Sequence, residues 1–151
     1  MKLSHTAAIA APAERVWAVV MDLPVAARCV PGVTAVNAAS ADSFTASLPV
    51  QIGPVHLMLE GVIRVTARDD AARRGSLRAE AKDARLGGTV RATVGLSVRE
   101  VAGGCELRVE SDVQIAGRIG EFGQPVIQRK ADQLLAGFAA CLGRSAGSVA
   151  T

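Results

Sequence analysis

A chain of 151 residues, half of them hydrophobic, is long enough for one domain that buries ~70% of its unfolded surface. Its only aromatic residues are Trp17, Phe44, Phe122 and Phe138, so Val, Leu, Ile and Ala must build the core, and no apolar run approaches the ~18–20 residues of a membrane-spanning helix. The 17 basic and 14 acidic residues leave a formal charge of +3 spread along the chain, which excludes the concentrated basic stripe with interleaved aromatics that nucleic-acid binding uses.

The chain opens MKLSHTAAIAAPAERVW, where Glu14 and Arg15 interrupt any signal-peptide core, and a cytoplasmic location is expected. Leu3, His5, Ala7 and Ile9 share one face of a weak first strand. Pro12 suits the first turn of a helix whose stripe is Val16, Trp17, Val20 and Met21, ending near Asp22-Leu-Pro24. A second short helix follows, closed by Pro31-Gly32.

Five further segments alternate with period two. Phe44, Ala46, Leu48, Val50 and Ile52 form one apolar face, and Leu57, Leu59, Gly61, Ile63 and Val65 form the next, with a turn at Gly53-Pro54 between them. Leu77, Ala79 and Ala81 alternate with Arg78, Glu80 and Lys82. Val90, Ala92, Val94, Leu96 and Val98 precede a hairpin at Gly103-Gly104, and Cys105, Leu107, Val109, Ser111, Val113 and Ile115 follow it. One apolar and one polar face per strand predicts an antiparallel sheet wetted on one side. Glycines in Gly117-Arg-Ile-Gly120 and Glu121-Phe-Gly123 let the last strand turn into a helix over about 124–144, which must begin or bend at Pro125. Its stripe is Ile127, Ala131, Leu134, Leu135, Phe138 and Leu142, with Gln128, Arg129, Asp132 and Gln133 facing away. The domain is expected to span 1–144, with a disordered tail at 145–151.

The fold class is therefore α+β, with one long helix covering the apolar face of a curved sheet. A strongly curved sheet does not close fully on a single helix, and the gap becomes an aliphatic cavity. Shared parity nominates Leu48, Val50, Leu57, Leu59, Leu77, Val94, Leu96, Val109 and Val113 as its sheet lining. Phe122, Leu134 and Phe138 face them from the helical side.

Catalytic machinery is sparse. No GxSxG, HExxH or P-loop pattern is present, no cofactor is expected, and no acid is paired with a base. His5 and His56 read as strand-filling or surface residues, too few for a metal site. Cys29, Cys105 and Cys141, odd in number and without paired spacing, read as reduced, mostly buried thiols. Asp83 falls on the apolar side by parity and is either a polar group at the cavity mouth or a turn cap. Arg118 either stands at one end of the cavity or is simply solvated.

Taken in order, Cys29-Val-Pro-Gly32, Leu48-Pro-Val-Gln-Ile-Gly-Pro54 with Leu59-Glu-Gly61, and Gly117-Arg-Ile-Gly-Glu-Phe-Gly123 with Ala131-Asp132 and Phe138-Ala139 carry a family likeness. From Met1 to about Arg144 the chain resembles the carbon monoxide dehydrogenase CoxG family, a branch of the START-like (SRPBCC) helix-grip superfamily. The resemblance implies a seven-stranded curved antiparallel sheet wrapped around the C-terminal helix, two short helices after the first strand, and a hydrophobic cavity. It also implies a non-catalytic partner of a molybdenum hydroxylase such as carbon monoxide dehydrogenase, one that binds a lipid or quinone and contacts the inner face of the membrane. Two other readings stand beside it: a small helix-grip enzyme, cyclase- or hydrolase-like, acting on an apolar substrate, and a pure protein-interaction subunit.

Overall fold

The alternating segments pair in space as one antiparallel sheet. A computed structural model describes residues 1–85 and 87–148. The elements run β1 (Lys2–Ile9), α1 (Ala13–Met21), α2 (Leu23–Arg28), β2 (Thr34–Ser40), β3 (Ser43–Ile52), β4 (Val55–Asp69), β5 (Arg74–Asp83), β6 (Gly88–Val101) and β7 (Gly104–Gly117). A 3-10 turn (Arg118–Phe122) leads into α3 (Gln124–Ser148). The strand order is β1-β7-β6-β5-β4-β3-β2, and this is the expected α+β helix-grip architecture.

Register confirms the parity argument. Leu48 stands opposite Leu59 and Val50 opposite Leu57, Leu77 opposite Val94, and Leu96 opposite Val109. Each pair lies on the inner face, because a one-residue slip would turn the whole apolar set to solvent. The strand that alternation did not reveal is β2. Six of its seven residues are exposed, so TAVNAAS has no buried face to write a pattern. Two register irregularities against β3 bend this edge strand, which discourages pairing with other chains.

Helix α3 begins where proline requires. Gly123 sits at a φ of 81° and ends the 3-10 turn; Pro125, lacking an N–H, then falls in the first helical turn, where that donor would be unused. The other end departs from expectation: the helix continues to Ser148 rather than stopping at Arg144. Ala146 is fully buried, so the last turn is held by packing where an isolated tail would fray. Residues 149–151, the remainder of the expected tail, lie outside the described residues.

Two core clusters meet the helical layer. The main one joins Val16, Val20, Leu96, Val98, Cys105, Leu107, Ala139, Leu142 and Ala146 between α1, the C-terminal half of α3 and the sheet. A smaller cluster of Leu23, Ala27 and Phe44 lies under α2. A third, Val50, Leu57 and Ile119 with Leu48, Leu59 and Phe122 packed on it, closes the far end of the sheet. Packing is close where α3 crosses β1: a methyl group on Gly143 would stand 3.2 Å from the Ile9 side chain. Trp17 anchors α1 by donating its indole N–H to Asp70 at 2.9 Å.

The cysteine expectation needs correction. Cys29, at the end of α2, and Cys141, on α3, form a disulfide across a Cα separation of 5.3 Å. A separation of 112 residues leaves no local spacing for a motif to register, and the third, unpaired cysteine disguised the pair. Cys105 alone is a free buried thiol; burial pushes its ionisation upward against the pull of Arg73, so it stays protonated and unreactive.

Two tests follow. Reducing the disulfide, or substituting Cys141→Ser, is expected to lower stability by about 2–4 kcal/mol in urea titrations run with and without reductant; unchanged midpoints would exclude the bridge. For Asp70, a hydrogen bond from Arg68, then one from Trp17, holds the carboxyl below the ordinary 3.8 despite some opposing desolvation. Its contribution to docking α1 is therefore complete above the unfolded value and lost as pH falls through the lower folded value. Trp17 fluorescence should stay constant from pH 8 to about pH 5 and change only under stronger acid, and Asp70→Asn should abolish that acid step.

Candidate functional site

The N-terminal half of α3 packs less deeply on the sheet than the C-terminal half. Val126, Ile127, Leu134, Leu135 and Phe138 are only partly buried, in contrast to Ala139, Leu142 and Ala146 further along. The space beneath this half is a cavity of about 310 Å³. Leu77, Leu96 and Val109 form its floor from β5, β6 and β7, and Leu134 and Phe138 cover it from α3. These five come from the set expected to line it.

The others lie elsewhere along the same inner face. Leu48, Val50, Leu57, Leu59 and Phe122 pack around Ile119 in the closed far-end cluster. Val94 packs against the main core, and Val113 is half-buried on the inner face of β7 without reaching the cavity wall. Parity assigns a side chain to a face but says nothing of its position along a strand.

Sequence reasoning missed one wall altogether. Leu23, Ala26 and Ala27 of α2, with Val30 and Phe44, close the side of the cavity. The signal was present in the three- and four-residue spacing of Leu23, Ala26 and Ala27, in a helix too short for periodicity to stand out.

The cavity has one polar corner. His5, on the inner face of β1, is 8% exposed, and Ser111 of β7 shares the wall with it. His5 Nδ1 is hydrogen-bonded to the Asp132 carboxylate on α3. Because an ionised carboxylate can only accept, Nδ1 carries the proton. This corrects two expectations. His5 is not a simple strand filler, and the chain does hold an acidic and a basic group in contact. Asp132 adjoins the stripe residue Ala131, so it lies at the flank of the apolar face, close enough to reach the edge strand. Nothing local in the sequence connects two residues 127 apart.

The remaining candidates stand apart. Asp83 is 4% exposed, and its carboxylate accepts from the Met58 N–H at 2.9 Å and the Arg85 N–H at 3.4 Å. It ties the end of β5 to β4 and to the following turn, as a cap does, and is not part of the cavity wall. Arg118 is exposed at the start of the 3-10 turn, and His56 is exposed on β4. A wider trough of about 890 Å³ on the outer face runs between Lys2, Arg78, Glu110 and Asp112. Long charged side chains make it a solvated strand surface, not an apolar receptor.

The family model for the carbon monoxide dehydrogenase protein CoxG matches residues 6–147. No curated protein matches the sequence. Among solved structures, a conserved protein from Geobacillus kaustophilus superposes with a TM-score of 0.86 at 18% identity, covering 98% of this chain and 96% of that one. The Zhui aromatase/cyclase from Streptomyces sp. R1128 gives 0.68 at 16% identity over 100% and 96%. A START superfamily protein from Mycobacterium smegmatis gives 0.65 at 16% identity over 98% of each chain. At such identities the likeness is one of fold.

Substituting Asp132→Ala should strand the His5 N–H where α3 meets β1. Because the Asp132 side chain is 56% exposed, water can replace part of the bond, and the expected loss is about 1–2 kcal/mol in urea denaturation. His56→Ala, at an exposed position, should stay within about 0.5 kcal/mol. Equal effects of the two would show that the histidine–aspartate contact does not hold the helix.

Proposed function

The chain belongs to the carbon monoxide dehydrogenase CoxG family, and from that premise we propose that it binds a lipophilic small molecule, a lipid or quinone, in the cavity beneath α3. It does so as a non-catalytic accessory of a carbon monoxide dehydrogenase-type molybdenum hydroxylase, handling its ligand at the cytoplasmic membrane surface. The observation that carries this reading is the cavity wall, aliphatic and aromatic apart from His5 and Ser111. Ligand pockets are typically apolar hollows with a few placed polar groups, and about 310 Å³ lies at the lower end of their size range. Burying ~10 methylenes there contributes roughly 8 kcal/mol before ordering costs. Among the described residues no helix is long and apolar enough to cross a membrane, and the proposed membrane contact is peripheral.

The His5–Asp132 pair favours a second reading, an enzyme of cyclase or hydrolase type. A histidine oriented by a carboxylate is half of a general-base arrangement. For nucleophilic chemistry it lacks the other half. Ser111 shares the cavity, but no Ser111–His5 hydrogen bond is formed among the described residues. A binding role needs no such bond, and we rank it first. The pure interaction subunit ranks last, because its cavity would be filled by its own side chains.

Organic extraction and mass spectrometry of the purified protein should recover a lipophilic molecule, and calorimetry should show that it binds again. Phe138→Asp would place an unpaired carboxylate against the cavity roof, costing several kcal/mol shared between stability and affinity. Absence of any co-purifying or rebinding lipophile in the wild type would overturn the proposal in favour of the interaction subunit.

A further inference from the structure

The polar corner holds a group whose bonding is incomplete. His5 commits Nδ1 to Asp132, and among the described residues no partner stands at Nε2. Every fully sealed side-chain nitrogen or oxygen of the described residues finds a partner, so the unpartnered Nε2 is one that a small polar group can reach. The side chain is 5% exposed, and His5 forms part of the cavity wall.

The chemistry of the pair fixes what Nε2 offers. With the proton on Nδ1 facing the carboxylate, the ring in its neutral form presents a lone pair at Nε2 and accepts there. Ser111 lies nearby on the same face. His5 is in register with Val109, two residues before Ser111 on β7, which makes the two side chains diagonal neighbours ~7–8 Å apart along the ladder. The Ser111 hydroxyl can donate.

We propose that His5 Nε2 and Ser111 Oγ form a head-group site for a neutral amphiphile whose polar end is a hydroxyl, an alcohol or phenol. This assignment rests on the lipophile-binding reading and narrows it. A hydroxyl meets both requirements at once, donating to Nε2 and accepting from Ser111. An ether or ketone oxygen can only accept and leaves Nε2 unsatisfied. A carboxylate meets the Nε2 lone pair and the nearby Asp132 anion, both repulsive. The aliphatic body then occupies the space between Leu96, Val109, Leu134 and Phe138. Asp132 touches no ligand in this arrangement; it is a positioning residue that sets which ring nitrogen carries the proton.

Titration calorimetry with decanol, decyl methyl ether and decanoate tests the assignment on the intact chain. The wild type should bind decanol about three- to tenfold more tightly than the ether, the usual net worth of one hydrogen bond, and decanoate more weakly than either. His5→Leu should bind decanol and the ether alike. Ser111→Ala should weaken both by a similar factor, since both accept from the hydroxyl. Asp132→Asn, on the helix surface, preserves the fold while its amide can donate to Nδ1 and move the ring proton to Nε2, so the preference should vanish or reverse toward the ether. A wild type that binds alcohol and ether equally, a preference that survives His5→Leu, or one unchanged by Asp132→Asn would overturn the head-group site and leave the apolar cavity standing. Failure of all three ligands to bind would instead overturn the lipophile-binding reading beneath it.

Discussion

The architecture depends on the uneven burial of one helix. Along the C-terminal half of α3, Ala139, Leu142 and Ala146 are enclosed with Val16, Cys105 and Leu107 in the main core. Gly143 allows the helix to lie close against the Ile9 side chain of β1. That contact is tight enough to fix the axis of α3, and the sheet then curves away beneath its other half. The cavity is a geometric result of that arrangement, since a straight rod touches a curved surface along only part of its length. Two further ties hold α3, one in its packed half and one in the half that spans the gap. The disulfide joins α3 to the end of α2, and Asp132 joins it to β1. Roof, side wall and edge strand are thereby connected around one opening.

What could be read from the sequence divides along this same line. Five strands wrote their pattern plainly and β1 weakly, because each has one buried face, and Pro125 placed the start of α3 because a missing N–H has few positions where it does no harm. β2 wrote nothing, being exposed along nearly its whole length, and it was anticipated only through the family resemblance. The site was half legible. Parity put Leu77, Leu96 and Val109 on the correct face, and the helical stripe supplied Leu134 and Phe138. It could not distinguish these from Leu57 or Phe122, which share that face or helical side but sit in the closed far end. The features that depend on long-range closure were invisible. Cys29 with Cys141 and His5 with Asp132 are pairs made by the fold, and neither partner carries a local mark of the other.

The polar corner changes how the cavity is understood. A purely aliphatic hollow discriminates poorly, since each added or missing methylene changes affinity only modestly. A buried imidazole with one satisfied and one open nitrogen discriminates by the opposite route, because a ligand that fails to complete it leaves a polar atom unpaired. The aliphatic wall would supply affinity and the corner would supply choice.

The separation of the core into clusters has a thermodynamic consequence. The walls of the cavity are drawn from two of them, the main core through Val20 and Leu96 and the α2 cluster through Leu23, Ala27 and Phe44. Between them the side chains lack neighbours on one side and forgo the dispersion contacts of a filled interior. An occupant of that space would become a missing piece of the hydrophobic core and merge the two clusters into a single cooperative body. Occupancy and folding would then be linked functions, with stability rising as RT ln(1 + [L]/Kd). A chain of this design would report its own cargo through its melting temperature, and releasing that cargo would require loosening the interior of the protein.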